Sequence, residues 1–205
     1  MRELRTTARP TKGDILVKVF AEAVAAFAEG NYEEAAKLGE QSKHLALRSP
    51  SAREFLGLTY YRMGKWQEAA RELNAFKRIS GSLEQNPVIA DCYRALGKPE
   101  RAVELCDEVL RAEVPPAIRY EAAIVGASAL ADMKRIDEAI KRIERLNLRP
   151  EVAEEHHLRA WYVLGDLLEK KGRYTHAREY FAAVDAADPD LTDAHERAAS
   201  LVKGS

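Results

Sequence analysis

The sequence of 205 residues has few of the groups from which enzymes and metal sites are built. Its two cysteines, Cys92 and Cys106, lie in neighbouring predicted helices without a Cys-x-x-Cys motif, and we expect two reduced core thiols. No two of the five histidines stand four residues apart, which is the spacing of helical zinc sites. The adjacent residues His156 and His157 would point about 100° apart on a helix, which disfavours a shared metal. Since no glycine-rich phosphate loop is present either, the sequence predicts neither an enzyme nor a bound metal or cofactor.

An excess of one charge and a long apolar run are missing as well. The 32 Lys and Arg residues nearly balance the 33 Asp and Glu residues, and a net charge of −1 does not indicate nucleic acid as the partner. The apolar stretch 15–28 is shorter than the ~18–20 residues of a membrane span, and Lys18 and Glu22 interrupt it. It also lacks the small-residue cleavage site of a signal peptide. We therefore expect a cytoplasmic protein without a membrane partner.

The most regular pattern in the chain lies in residues 161–189. Residues at three- and four-residue spacing share one helix face: Trp161, Leu164, Gly165 and Leu168. Gly172 interrupts the periodicity, and a second helical pattern continues to Val184. The small residues Gly165 and Ala177 let two helix axes approach closely, so the segment predicts an antiparallel hairpin that ends before Pro189.

Similar hairpins recur along the chain at a period of about 34 residues. The alanines that align in their second helices are Ala35, Ala69, Ala102, Ala139 and Ala177. The steps between these alanines are 34, 33, 37 and 38 residues, and the longer two place extra residues near 113–116 and 147–155. These extra residues form longer turns or extend the following helices. Because one hairpin cannot bury its apolar face alone, the repeats are expected to stack on each other.

The hairpin of residues 161–189 resembles one tetratricopeptide (TPR) repeat nearly position for position, with W-x2-L-G-x2-L followed by A-x3-F-x2-V. The segments AREFLGLTYYRMGKWQEA and IADCYRALGKPERAVEL are similar to those of uncharacterised bacterial TPR proteins. The first and fourth hairpins match the pattern less well. The resemblance implies an all-α fold, a right-handed α-α superhelix (α-solenoid) of about five TPR-like hairpins plus a C-terminal capping helix.

The resemblance also divides the chain. A basic, flexible tail is expected at 1–13 and the solenoid at 14–189, with repeats at about 16–49, 50–82, 83–119, 120–157 and 158–189. A capping helix and tail follow at 190–205. One face of this helix carries Leu191, Ala194, Ala198 and Leu201, which would cover the last hairpin.

In proteins of this family the first helices of the hairpins line a concave groove that binds an extended peptide or a helix. The groove positions that the resemblance transfers to this chain include Glu54, Leu58, Tyr61, Arg62, Asp91, Arg94, Ile124, Arg159, Tyr162 and Asp166, with Glu169 and Lys170 at the end of the fifth set. Tyrosine and arginine often dominate binding energy at interfaces. A solvated polar face with weak ion pairs explains the same residues. We expect a non-catalytic interaction module or scaffold with a protein or peptide partner.

The first predicted helix is more apolar than the end of a stack should be. Its polar residues form one narrow stripe, and the candidate self-association residues on the remaining surface are Leu16, Phe20, Val24 and Phe27. Either the basic tail covers this surface, the helix is rotated to bury it, or another chain covers it. A homodimer is one such arrangement.

A locally basic helix at Arg135–Arg149 supports an alternative function. Acidic residues interleave with its basic ones, so a solvated face is the ordinary explanation, and aromatics for base stacking are missing. The alternative is an RNA-associated accessory protein that uses this face together with the basic tail.

Overall fold

The computed structural model describes residues 2–9 and 11–201, which form twelve helices and no strand. The predicted all-α class is therefore confirmed. Residues 1, 10 and 202–205 of the two predicted tails lie outside the described residues, as do the side chains of Arg2 and Arg5. None of the helices in the described part of the chain has the length and apolarity to cross a lipid bilayer.

The chain divides into two compact units, residues 1–98 and 99–205, and the boundary falls inside the predicted third repeat. The helices of the first unit are α1 (Arg2–Thr7), α2 (Gly13–Ala28), α3 (Tyr32–Leu45), α4 (Pro50–Arg62), α5 (Trp66–Ser80) and α6 (Asn86–Ala95). The helices of the second unit are α7 (Pro99–Arg111), α8 (Pro116–Asp132), α9 (Ile136–Glu144), α10 (Glu155–Lys170), α11 (Tyr174–Ala187) and α12 (Ala194–Ser200).

Within the first unit, α2 packs against α3 and α4 against α5, and each second helix also packs on the first helix of the next pair. In the second unit the pairs are α8 with α9 and α10 with α11, with α7 packed on α8 and α12 on α11. Helix α8 begins at Pro116 and α10 at Glu155, before the predicted starts at 120 and 158. The extra residues of the fourth repeat thus lengthen its first helix. Those before the fifth repeat form the connection 145–154.

Close approach of paired helices depends on glycine where the sequence predicts it. A Cβ atom added to Gly165 in α10 would lie 2.8 Å from Cε1 of Phe181 in α11, and one added to Gly57 would lie 2.6 Å from the Leu73 side chain. Phe181 and Ala177 are fully buried in the core of the second unit. The predicted packing at Gly165 and Ala177 is confirmed.

Part of the predicted tail is helical. Residues 2–7 form α1, because Leu4 is apolar and packs against Leu16 of α2 and Ala46. The Arg9 amide also donates to the Leu45 carbonyl at 2.9 Å. Leu16 is 0% exposed and is therefore not a self-association residue.

The other apolar residues of α2 are largely used within the first unit. The ring centroids of Phe20 and Phe27 lie 5.3 and 5.8 Å from that of Phe55 in α4. Val24 is 45% exposed and Ile15 is exposed to a similar degree. Helices α1 and α4 thus cover much of the apolar surface of α2, and Ile15 and Val24 stay exposed.

The turns between paired helices share one backbone geometry. In the fifth hairpin the Gly172 amide donates to the Glu169 carbonyl at 2.9 Å and the Arg173 amide to the Leu168 carbonyl at 2.8 Å. This pair of bonds is the Schellman motif, which requires a left-handed residue, and Gly172 has φ 79°. In the fourth hairpin Lys134 takes the same place with φ 64°, although it carries a side chain.

Replacing Lys134 by glycine should stabilise the protein by about 0.5–1 kcal/mol. The change removes a left-handed strain of about 1–2 kcal/mol per residue and adds roughly 0.5–1 kcal/mol of glycine entropy. The matched change Gly172→Ala should destabilise the protein, because it introduces the same strain. Urea denaturation followed by circular dichroism measures both midpoints. A midpoint for Lys134→Gly at or below that of the wild type would show that the lysine costs nothing in this turn.

Candidate functional site

The predicted groove residues of α4 and α6 meet in the first unit. The Tyr61 hydroxyl donates to Oδ2 of Asp91 at 2.7 Å, and Nη1 of Arg94 donates to Oδ1 of the same carboxylate at 2.8 Å. Asp91 and Arg94 keep 29% and 25% of their side chains exposed. First helices of consecutive hairpins thus contribute to one hydrogen-bonded network.

The other predicted residues of this surface lie around that network. Nε2 of Gln85 donates to Oε1 of Glu54 at 2.8 Å, and Leu58 is partly exposed between Glu54 and Tyr61 on α4. Arg62 is exposed, and its Nη2 donates to the Tyr32 hydroxyl at 2.7 Å. We define the first-unit groove face as Glu54, Leu58, Tyr61, Arg62, Asp91 and Arg94.

In the second unit, the predicted groove residues lie in two separate places, and one of them is buried in the core. Arg159 of α10 pairs with Glu121 of α8, with Nη1 and Oε2 2.8 Å apart. Ile124 is 7% exposed inside the core, so its assignment to the groove was wrong. The physical reason is that α8 packs against α7, α9 and α10 and buries every residue from 122 to 127.

Tyr162 and Asp166 contact the last helix of the chain. The Tyr162 hydroxyl donates to Oδ1 of Asp193 at 2.5 Å and accepts from Nη1 of Arg197 at 3.2 Å. Nη2 of Arg197 lies 3.0 Å from Oδ1 of Asp166 and 2.5 Å from Oε2 of Glu169. The guanidinium carbon also lies 4.3 Å from the centre of the Phe181 ring. We define the arginine cage as Tyr162, Asp166, Glu169 and Phe181.

Two matches to protein-family models identify the family of these stacked hairpins. A family model described as tetratricopeptide repeat matches residues 88–120, and a second model with the same description matches residues 124–192. Together they span about half of the chain, from α6 to α11. The chain is a tetratricopeptide repeat protein. TPR proteins are in general non-catalytic scaffolds that bind proteins or peptides.

Solved structures show the same fold. A thermophilic TPR protein of Thermus thermophilus is 18% identical, with 92% of this chain and 99% of that chain covered and a TM-score of 0.68. YrrB, described as a TPR protein with an unusual peptide-binding site, is 17% identical, with 90% of both chains covered and a TM-score of 0.62. The apo quorum sensor NprR from B. thuringiensis is 12% identical, with 91% of this chain and 57% of that chain covered and a TM-score of 0.74. No curated protein sequence matches this TPR chain.

Arg197 was not among the residues that the sequence singled out. The TPR pattern ends before α12, and the sequence indicated only the apolar face of that helix. That face is confirmed, since Ala194 is buried and its neighbours pack on the core: Leu191, Ala198 and Leu201. Arg197 stands three residues after Ala194, on the adjoining side of the helix. This spacing was the available signal that it would reach the preceding hairpin.

Electrostatics keep Arg197 charged inside the cage. Burial opposes its charge, but hydrogen bonds to Tyr162, Glu169 and Asp166 outweigh that effect and raise the pKa of Arg197 above its usual value. Burial, followed by the hydrogen bond to Asp193, raises the pKa of Tyr162. The cage therefore holds a guanidinium cation between two carboxylates and two aromatic rings, an arrangement in which charge-assisted hydrogen bonds and cation–π contacts act together.

The basic helix of the fourth repeat is partly neutralised by the TPR protein itself. Nε of Arg135 lies 2.6 Å from Glu138, and Nη2 of Arg142 lies 2.7 Å from Asp107 in α7. These two basic side chains of the face proposed for nucleic acid are thus already paired with carboxylates.

The first unit also contains a buried charge cluster that the sequence did not predict. Glu72 of α5 is 1% exposed, and its carboxylate lies 2.6 Å from Nη1 of Arg53 and 3.2 Å from Nζ of Lys43. Burial alone would raise the pKa of Glu72, but the Arg53 hydrogen bond and the Lys43 charge lower it overall. Lys43 also pairs with Glu40, which accepts a hydrogen bond from Tyr60 at 2.9 Å. The cluster joins α3, α4 and α5.

One of the two adjacent histidines at the start of α10 caps the helix. His157 is buried, and its Nδ1 accepts a hydrogen bond from the Glu154 amide at 3.0 Å. The Tyr120 ring of α8 stands against both imidazoles, with centroids 4.5 Å from His156 and 4.9 Å from His157. Burial, and then the neighbouring His156, lower the pKa of His157 despite the opposing charge of Glu154.

Within residues 2–9 and 11–201, no three His, Cys, Asp or Glu side chains are grouped as metal ligands.

The change Glu72→Gln should destabilise the TPR protein by about 3 kcal/mol, because it removes the buried carboxylate that pairs with Arg53 and that Lys43 shares with Glu40. Glu68→Gln on the same helix, at a partly exposed position, is the matched control and should change stability by less than about 0.5 kcal/mol. Urea denaturation midpoints measure both. Equal small effects for the two variants would show that Arg53 and Lys43 find water instead.

The stability of the protein should fall as pH decreases below about 6.5, the ordinary pKa of histidine, in part because of His157. With its pKa lowered in the folded state, the unfolded chain binds the proton first, so this stabilisation is full above that pH and is lost below it. Free energies of unfolding at pH 7.5 and 5.5 measure the fall. His157→Gln, which keeps an acceptor for the cap, should fall less than the wild type, whereas the exposed control His176→Gln should not differ from it. The same fall in all three proteins would exclude His157 as the cause.

Proposed function

We propose that this TPR protein is a non-catalytic interaction module that binds a peptide or a helix along the first helices of its hairpins. The observation that carries the proposal is the first-unit groove face, where Tyr61, Asp91 and Arg94 from two consecutive hairpins form one partly exposed network. The similarity to YrrB, which is described as having an unusual peptide-binding site, supports it at the level of the fold.

The chemistry of the face suits a peptide of mixed character. Glu54, Leu58 and Tyr61 are four and three residues apart, so they follow one stripe of α4. An apolar partner side chain can pack on Leu58, and a basic one can approach Glu54. Arg62 and Arg94 present donors to partner carbonyls and carboxylates. Tyrosine and arginine in this setting are frequent determinants of affinity.

The alternative function, an RNA-associated accessory protein, has less support. Arg135 and Arg142 are engaged by Glu138 and Asp107, and residues 2–7 of the basic tail form a helix that packs on α2. Homodimer formation through α2 also stays a prediction. Its exposed apolar residues are Ile15 and Val24, since Leu16 is buried and both Phe20 and Phe27 contact Phe55.

Charge reversal on the first-unit groove face should weaken peptide binding. A random peptide library is selected on the wild-type protein, and affinities of the recovered peptides are measured by fluorescence polarisation. Arg62→Glu and Arg94→Glu should each weaken binding at least about tenfold, the range of an interface hot spot. Arg78→Glu on α5, an exposed arginine of a second helix, is the matched control and should bind as the wild type does.

Two results would contradict this proposal. One is a set of selected peptides that bind the two groove variants as tightly as the wild type. The other is an affinity for single-stranded RNA that exceeds peptide affinity and falls steeply with salt, because that dependence marks neutralisation of phosphates by basic side chains.

A further inference from the structure

The last hairpin holds a segment of its own chain at the positions where the repeat pattern expects a ligand. Tyr162, Asp166 and Glu169 are groove positions of the fifth repeat, and each of them contacts Arg197 of α12. The ring of Phe181 in α11 makes a cation–π contact with the guanidinium of Arg197. The positions predicted to bind a partner are therefore occupied by one arginine side chain.

The cage is complementary to a guanidinium rather than to a cation in general. Its two carboxylates and the Tyr162 hydroxyl accept from both Nη atoms of Arg197, and the Phe181 ring lies 4.3 Å from the guanidinium carbon. Lysine has neither the planar fork nor the stacking surface that these contacts use. Lys170, which pairs with Asp166 at 2.6 Å, does not replace Arg197 on Glu169 or on the rings.

The helix that delivers Arg197 is short, and its apolar contacts with the last hairpin come from the buried Ala194 and from the partly buried residues Leu191, Ala198 and Leu201. It has seven residues, and Ala194 is its one fully buried residue. Isolated helices this short are marginal in water, so α12 depends on its contacts with the last hairpin. His195 and Asp185 add an exposed pair at 3.0 Å, which contributes little. An occupant with this small a footprint can be displaced by a competing segment that brings its own arginine.

We propose that the arginine cage is a subsite of the partner-binding surface that recognises an arginine of a partner helix or peptide, and that α12 occupies it until such a partner displaces it. The inference rests on the proposed function and specifies its ligand class. The partner's arginine makes the contacts that Arg197 makes, and its flanking small residues pack where Ala194 and Ala198 lie.

The test removes the occupant from the full-length chain without altering the cage. Ala194→Asp places a charge at a buried position of α12 and should release the helix from the hairpin. The probe is a labelled synthetic peptide with the sequence of residues 189–201. Its control is the same peptide with alanine in place of its arginine, and fluorescence polarisation measures both affinities.

The peptide should bind Ala194→Asp at least tenfold more tightly than it binds the wild type. In the wild type the tethered α12 competes at an effective concentration on the order of millimolar. The control peptide should bind Ala194→Asp at least tenfold more weakly than the arginine peptide. Adding Asp166→Asn to Ala194→Asp should remove most of that difference between the two peptides.

Equal binding of the two peptides to Ala194→Asp, or no binding of either, would overturn the proposal and leave Arg197 as a fixed structural contact. If Ala194→Asp does not fold, full-length Arg197→Ala takes its place, with ethylguanidinium and ethylammonium as probes and two-dimensional NMR as the measurement. Ethylguanidinium should then bind at least tenfold more tightly than ethylammonium, and equal affinities would overturn the proposal.

The groove variants Arg62→Glu and Arg94→Glu lie in the other unit. Their result therefore tests the general function separately from the cage.

Discussion

Packing of a partner side chain directly against a glycine of the facing helix is the constraint on which the structure of this TPR protein depends. Gly57 and Gly165 leave no room for a side chain, because Leu73 and Phe181 of the partner helices already fill that space. The other apolar side chains pack within each hairpin and between one hairpin and the next. Recognition is then left to the polar and aromatic groups of the first helices. This division explains why the proposed binding surface consists largely of tyrosines, arginines and carboxylates.

Features that repeat at a fixed period were accessible from the sequence. The hairpins, the small residue at Gly165 and the apolar face of α12 with Ala194 each follow from spacing along a helix, and spacing is written in the chain. Tyr61 and Asp91 were both assigned to the groove, although their mutual contact was not predicted. Their separation of 30 residues is close to one repeat.

Features that depend on a particular contact across the repeats were not accessible. Leu4 becomes ordered because it meets Leu16 and Ala46, and no periodicity relates it to Ala46. The family resemblance gave Ile124 a groove position, yet it could not show that α10 packs over that side of α8. The reach of Arg197 depends on the placement of α12 and on a long flexible side chain. Long polar side chains and short terminal segments therefore account for most of what the sequence left open.

Helix α8 differs from the other first helices because neighbours enclose it on several sides. Its buried residues include a run of small ones: Ala122, Ala123, Gly126, Ala127 and Ala129. A Cβ atom at Gly126 would lie 2.5 Å from Nη1 of Arg142 and 3.1 Å from Cβ of Cys106, so two other helices limit this one residue. A side chain at position 126 would displace the end of Arg142 and crowd Cys106, so a single substitution in α8 would disturb its packing on both α9 and α7.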